Sequence, residues 1–154
     1  MTSLVPPDPN YADRVRASFA RQEIMHTLGA TLIRVEPGLV EVELPFRDDL
    51  TQQHGFLHAG VITTIIDSAC GYAALSLMPA QSGVLSVEYK ANFLAPARGS
   101  RFVAMGRVLR AGRTIIVCAG DVMALQDDGG GPEAVVATML ATTLVVRDRP
   151  DVLD

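Results

Sequence analysis

HGFLHAGVITTIIDSACGYAALSLMP, residues 54 to 79, joins a polar, glycine-bearing segment to a run of apolar and small residues broken by one carboxylate, Asp67. Apolar residues recur at Ile62, Ile65, Ile66, Ala69, Cys70, Ala73, Ala74 and Leu77, the period of a helix buried on most sides. The spacing predicts a helix over residues 59–77, ended by Pro79. From Ala59 to Val87, Asp67 is the only formally charged side chain. A lone charge in such a setting is costly, so Asp67 must be paired, hydrogen-bonded or functional. Thr63, Thr64, Asp67, Ser68 and Gly71 argue against reading the run as a membrane span.

Upstream of this run, Ala12, Val15, Phe19 and Met25 predict one helix over about residues 10–28, stopped by Gly29. Strands follow over 31–35 and 39–45 around a Pro37-Gly38 turn, then a loop over 48–57. Beyond the long helix, β-branched and alternating runs predict strands over 84–94, 101–110, 114–125 and 134–147, with turns at 96–100, 111–113 and 127–132. The DGGG in the last turn reads as a hairpin loop, because it does not open a helix as a phosphate cradle does. The order is helix, two strands, long helix, four strands, without repeat or linker. We expect one α+β domain over residues 1–154, core about 30–147, with the long helix lying on an antiparallel sheet.

At 154 residues and 49% hydrophobic, the chain has enough apolar material for a real core. A net charge of -4 and a pI near 5.3 argue against a dedicated nucleic-acid binder. Cys70 and Cys118 each sit in an apolar run, as reduced structural thiols of a cytoplasmic protein would. The opening MTSLVPPDPNYADRVR lacks the basic and apolar regions of a signal peptide.

The helix start carries the chemistry. Gly55 and the small pair Ala59-Gly60 let a ligand come close, and the first amides of a helix lack internal partners and face anions or polarised oxygens. Such amides act as an oxyanion hole. Asp67 lies eight residues further on, about 12 Å along the axis. One carbonyl cannot touch both points, so a reaction using both groups needs two antiparallel copies of the helix. A two-fold homo-oligomer supplies them. The structural alternative has Asp67 bonded to Ser68, Tyr72 or a backbone group within the core.

HGFLHAGVITTIIDSACGYAA resembles the H-G-G followed by a helical Asp of the hotdog-fold acyl-CoA thioesterases, in their PaaI-like branch, and SVEYKANFLAPA resembles the strand after their helix. The likeness spans about residues 39–146. It implies a curved antiparallel sheet wrapped around the long helix, and hydrolysis of an acyl-CoA thioester to the acid and the free thiol; the apolar residues around the helix and the few aromatics lean toward a medium-chain or aryl acyl group. It places the family's carboxylate on Asp67, as general base or nucleophile, and its oxyanion-hole amide on Ala59. Gln52 falls beside the thioester, His58 on the motif histidine, and Ser86 on a hydroxyl near the attacking water. His54 and Gly60 complete the substrate-facing set. No cofactor or metal is implied, and the assembly implied is a homodimer, or a dimer of dimers. One departure is that Ala59 stands where the family has glycine, which keeps the N–H and adds a methyl.

Independently of that motif, every formal charge from Tyr89 to Gly120 is positive: Lys90, Arg98, Arg101, Arg107, Arg110 and Arg113. Such basicity in an acidic protein suits a polyphosphate ligand, and Arg98, Arg110 and Arg113, at turns beside glycines, are the expected phosphate contacts. Ordinary solvated strand faces are the competing reading. His54 and His58 have an i, i+4 spacing but no clear third metal ligand, and Cys70 lacks an adjacent base. A hotdog dehydratase and a non-catalytic acyl-CoA sensor are the alternative functions.

Overall fold

The computed structural model describes residues 4–126 and 134–154. Two short helices, α1 (Tyr11–Ala20) and α2 (Glu23–Leu28), precede the hairpin β1 (Thr31–Glu36) and β2 (Leu39–Pro45). A 3-10 turn, Asp48–Leu50, leads to the long helix α3 (Ala59–Leu75). Four long strands follow: β3 (Ser82–Phe93), β4 (Arg101–Ala111), β5 (Ile115–Leu125) and β6 (Ala134–Arg147). The strands form one antiparallel sheet in the order β1-β2-β4-β5-β6-β3. It curves around α3, which packs on β2 through β6, so the hotdog arrangement is the fold. No helix among the described residues is long and apolar enough to cross a membrane. The expected 127–132 turn lies outside the described residues.

The N-terminal helix expected over about 10–28 is two helices. Met25 sits six residues after Phe19, about 120° round a continuous helix from it, yet both are buried in the same core. The chain reconciles them by breaking at Gln22, whose ψ of 93° is extended. Gly29, with φ +74°, then ends α2 in the left-handed conformation expected of it.

Two mid-strand glycines set how deeply α3 lies on the sheet. Gly106 and Gly120 face each other across β4 and β5. A methyl on Gly106 would overlap the Ala69 and Cys70 backbone, and one on Gly120 would come within 2.8 Å of Ile66 Cγ1 and 2.9 Å of Cys70 Sγ. The helix answers with its small residues, Ala69, Cys70 and Ala73, all fully buried. This close seam fixes the rotation of α3 and turns Asp67 toward β3.

The C-terminal end of α3 is sealed by the N-terminal segment. The Arg14 guanidinium donates to the carbonyls of Leu75 (2.9 Å), Met78 (2.9 Å) and Pro79 (2.8 Å) and pairs with Asp8 at 3.1 Å. A cation here satisfies the last carbonyls and opposes the negative end of the helix dipole. The helix therefore stops at Leu75, before Pro79.

Candidate active site

The open end of α3 is its start. His58 is the N-cap: its Nδ1 accepts from the Gly60 N–H (2.8 Å), and its carbonyl accepts from Val61 (2.9 Å) and Ile62 (3.2 Å). The Ala59 N–H alone of the first-turn amides finds no acceptor among the described residues. Ala59, exposed, lines a cavity of about 490 Å³ with Gln52, Phe56, Ile62, Phe93 and Pro96.

The loop before α3 is closed on itself. Thr51 bridges to Leu57, the Gln52 N–H donates to the Phe56 carbonyl (2.9 Å), and Gly55 takes φ +80°. Gln52 Oε1 accepts from the His54 N–H, which leaves the Gln52 Nε2 as the group free to donate into the cavity. His54 lies exposed, its Nε2 3.3 Å from Gln53 Nε2. His58 Nδ1 is committed to the cap, and no group of three metal-ligating side chains occurs among the described residues.

Asp67 sits two turns along, half-buried. Its partner is neither Ser68 nor Tyr72: the Ser86 hydroxyl on β3 donates to Asp67 Oδ1 at 2.8 Å. Burial pushes the Asp67 carboxyl above the usual carboxylate range, and the Ser86 bond draws it partly back. Oδ2 is left without a partner among the described residues. Ser86 reaches Asp67 beside an irregularity in the β3–β6 register between Ser86 and Glu88.

Gly60 and Asp67 line one cleft with Thr63, Thr64, Tyr89 and Phe93. Asp67 and Ser86 also share a smaller cavity with Gln22, Ser68, Tyr72 and Asp154. Sequence reading missed Gln22 and Asp154, since nothing in their local patterns marks them, and named Tyr72 only as a structural partner for Asp67. The isolated glycines 106 and 120 inside strand patterns were a readable sign of close backbone approach.

The arginines divide. Arg101 pairs with Glu43 and Arg107 with Asp121, each at 2.9 Å, so both serve the sheet surface. Arg98 stacks on Phe56, 4.5 Å above the ring centroid, beside the 490 Å³ cavity. Arg110 and Arg113 lie at the β4–β5 turn, the opposite end of β4 from Arg98. That separation is about 30 Å along a strand. Within one protomer a phosphate held by Arg98 is out of reach of the other two.

Both cysteines are buried core thiols. Burial pushes Cys70 upward, and Cys118 to about 12; the Cys118 thiol donates to the Cys70 carbonyl at 3.4 Å. Neither is set up as a nucleophile.

The sequence model of the thioesterase superfamily matches residues 54–130. The crystal structure of a thioesterase family protein from Silicibacter pomeroyi is 50% identical, covers 89% of this chain and 98% of its own, and superposes with a TM-score of 0.85. Human acyl-coenzyme A thioesterase 13 is 30% identical over 93 residues, 60% of this chain and 66% of that protein. The PaaI protein of the E. coli phenylacetic acid degradation operon shares the fold at a TM-score of 0.78 and 17% identity, over 89% of this chain and 94% of that one.

Proposed function

Because the chain belongs to the thioesterase superfamily, and is a thioester hydrolase, we propose that it hydrolyses acyl-CoA thioesters, of medium-chain or aryl type, at sites shared between two protomers. The observation that carries this reading is the division of groups along α3. An unused amide stands at Ala59 and a half-buried carboxylate at Asp67, about 12 Å apart on the same helix. Antiparallel packing of two such helices brings the amide of one protomer to the carboxylate of the other.

Two surfaces support that assembly. β3 is an edge strand of twelve residues with exposed Val87, Tyr89 and Phe93, a long apolar edge of the kind proteins cover. Pairing β3 with its two-fold copy would set the two α3 helices side by side. Leu85, Leu109, Ile115 and Leu140 are exposed on the strands as well, and would serve a contact between dimers.

In this site the Ala59 N–H and the Gln52 Nε2 donate to the thioester oxygen and stabilise the charge that develops there. Asp67 from the other protomer acts as general base, its basicity raised by burial, and takes a proton from water as the water attacks the carbonyl carbon. The carbon–sulfur bond then breaks and the proton passes to the departing thiolate. Ser86 holds Oδ1, so Oδ2 faces the water. Direct attack by the same oxygen would instead give a mixed anhydride. His58 shapes the amide end through its cap, and Arg98, over Phe56, stands where the CoA phosphates would leave the cavity. Arg110 and Arg113 would meet phosphates only across protomers.

Hybrid dimers test the shared site. Ala59→Pro deletes the amide while proline suits the first helical position, and His58, with ψ 138°, already has the extended conformation a following proline needs. Ala59→Pro and Asp67→Asn are each expected to be nearly inactive alone. Mixed and reassembled, they should regain about a quarter of wild-type activity, because half of the dimers then carry one intact site. Hybrids as inactive as their parents would overturn the shared site.

A further inference from the structure

Asp67 looks onto two spaces, the cavity of about 150 Å³ that it shares with Ser86 and Tyr72, and a cleft of about 530 Å³ that extends to Tyr89 and Phe93. Among the described residues, three line both: Asp67, Ser68 and Gln22. Ser86 holds Asp67 Oδ1 at 2.8 Å, so a water bound to the carboxylate meets Oδ2, where the two spaces join.

We infer that Gln22 orients the attacking water, its Nε2 donating to the water oxygen while Asp67 takes the proton. This rests on the reading of Asp67 as the general base. The chemistry asks for such a group. As water attacks, one lone pair forms the bond to the carbonyl carbon, and one O–H proton passes to Asp67 Oδ2 and later leaves on the thiolate. The oxygen keeps a second lone pair, and a donor placed on it fixes where the first one points. An ionised carboxylate only accepts, so Asp67 cannot supply that donor.

Gln22 has the donor to give. The Ser68 hydroxyl donates to Gln22 Oε1 at 3.1 Å, which leaves the Gln22 Nε2 as a donor without an acceptor among the described residues. The hydroxyl protons around it are spent. Ser68 has used its one on Gln22 and Ser86 its one on Asp67. Thr63 and Thr64 donate to the carbonyls of Ala59 (2.8 Å) and Gly60 (2.7 Å). Asp154 is itself an acceptor, taken up by the Ser18 hydroxyl and the Val84 N–H. Tyr72 lines only the smaller space and Tyr89 only the larger.

Gln22 stands at the break between α1 and α2, in extended backbone with ψ 93°, which gives that break a use beyond packing. Ser68 follows Asp67 directly in α3, so its bond ties the amide to the same helical turn as the carboxylate. Base and water holder are thus fixed to one rigid element, as a positioned nucleophile requires.

The test is kcat, KM and the acid limb of the pH profile, on whichever of octanoyl-CoA and benzoyl-CoA wild type turns over faster, with Asp67→Asn run alongside. Gln22→Met keeps the side-chain length and removes the donor. It should lower kcat about 5–10-fold, the loss of one neutral hydrogen bond, with KM nearly unchanged and the acid limb in place. Ser68→Ala should give part of that loss, and the double variant should be no slower than Gln22→Met, since the two act as one unit. Gln22→Glu should move the acid limb to higher pH, because a second carboxylate facing Asp67 disfavours its charge; Asp154 is present in both proteins and cancels. Thermal melting checks folding, and Gln22→Glu, which keeps the shape, decides the matter if methionine disturbs it. An unchanged kcat in folded Gln22→Met, or an unmoved limb in Gln22→Glu, would overturn the inference while leaving Asp67 in its role. Full activity of Asp67→Asn, or no turnover of either ester by wild type, would instead remove the site reading beneath it.

Discussion

The two ends of α3 are built to opposite specifications. At the C-terminal end, buried carbonyls and Leu75 are tied down by Arg14, itself paired with Asp8. At the N-terminal end the helix is capped by His58, yet one exposed amide, Ala59, is left over. A sealed end holds the fold, and an open end holds an unspent hydrogen bond that a ligand can use. The contrast teaches where in this helix stability ends and chemistry begins.

Exchanging the roles of the two ends should show the largest effects. Ala59→Pro is expected to lower kcat/KM by about 10²–10³-fold, the usual loss of one oxyanion donor, with the melting temperature unchanged. Arg14→Met should do the reverse, lowering unfolding free energy by about 2–3 kcal/mol in urea titrations while kcat is preserved. An Arg14 variant that keeps its stability but loses turnover would erase the distinction.

Ser86→Ala sharpens the open end further. The Ser86 bond favours the ionised Asp67, opposing the upward push of burial. Without it the carboxyl rises further, and since the base works ionised, the acid limb of the kcat/KM profile should move to higher pH. An unmoved limb would show that the 2.8 Å bond does not act on the catalytic carboxylate. Ala59→Gly is the smallest change. Removing the methyl should raise kcat/KM for bulkier acyl groups by a factor on the order of 3–10, read from a substrate panel, and leave smaller esters nearly unaffected.

Much of the architecture was legible because it is written locally. The 3.6-residue period over 59–77 and the alternation over 134–147 are properties of neighbouring residues, and α3 and β6 lie where those patterns put them. The site was legible in part: Asp67 stood out as a charge in an apolar run, and its distance from Ala59 follows from helix rise alone. The placing of the arginines was not legible, because charge along a chain says nothing of which end of a strand each residue occupies. Arg98 and Arg110 are twelve residues apart in sequence and sit at opposite ends of β4.

The sequence by itself determined the order of elements, the family likeness and the anomaly at Asp67, since each rests on composition, period or motif within short reach. Only the tertiary structure decided that Asp67 answers to Ser86, nineteen residues away on an edge strand. It alone set α3 against Gly106 and Gly120, and placed Gln22 beside the carboxylate. Those pairings depend on strand register, on how deeply a helix seats, and on where a helix breaks, which are set by packing between segments distant in the chain.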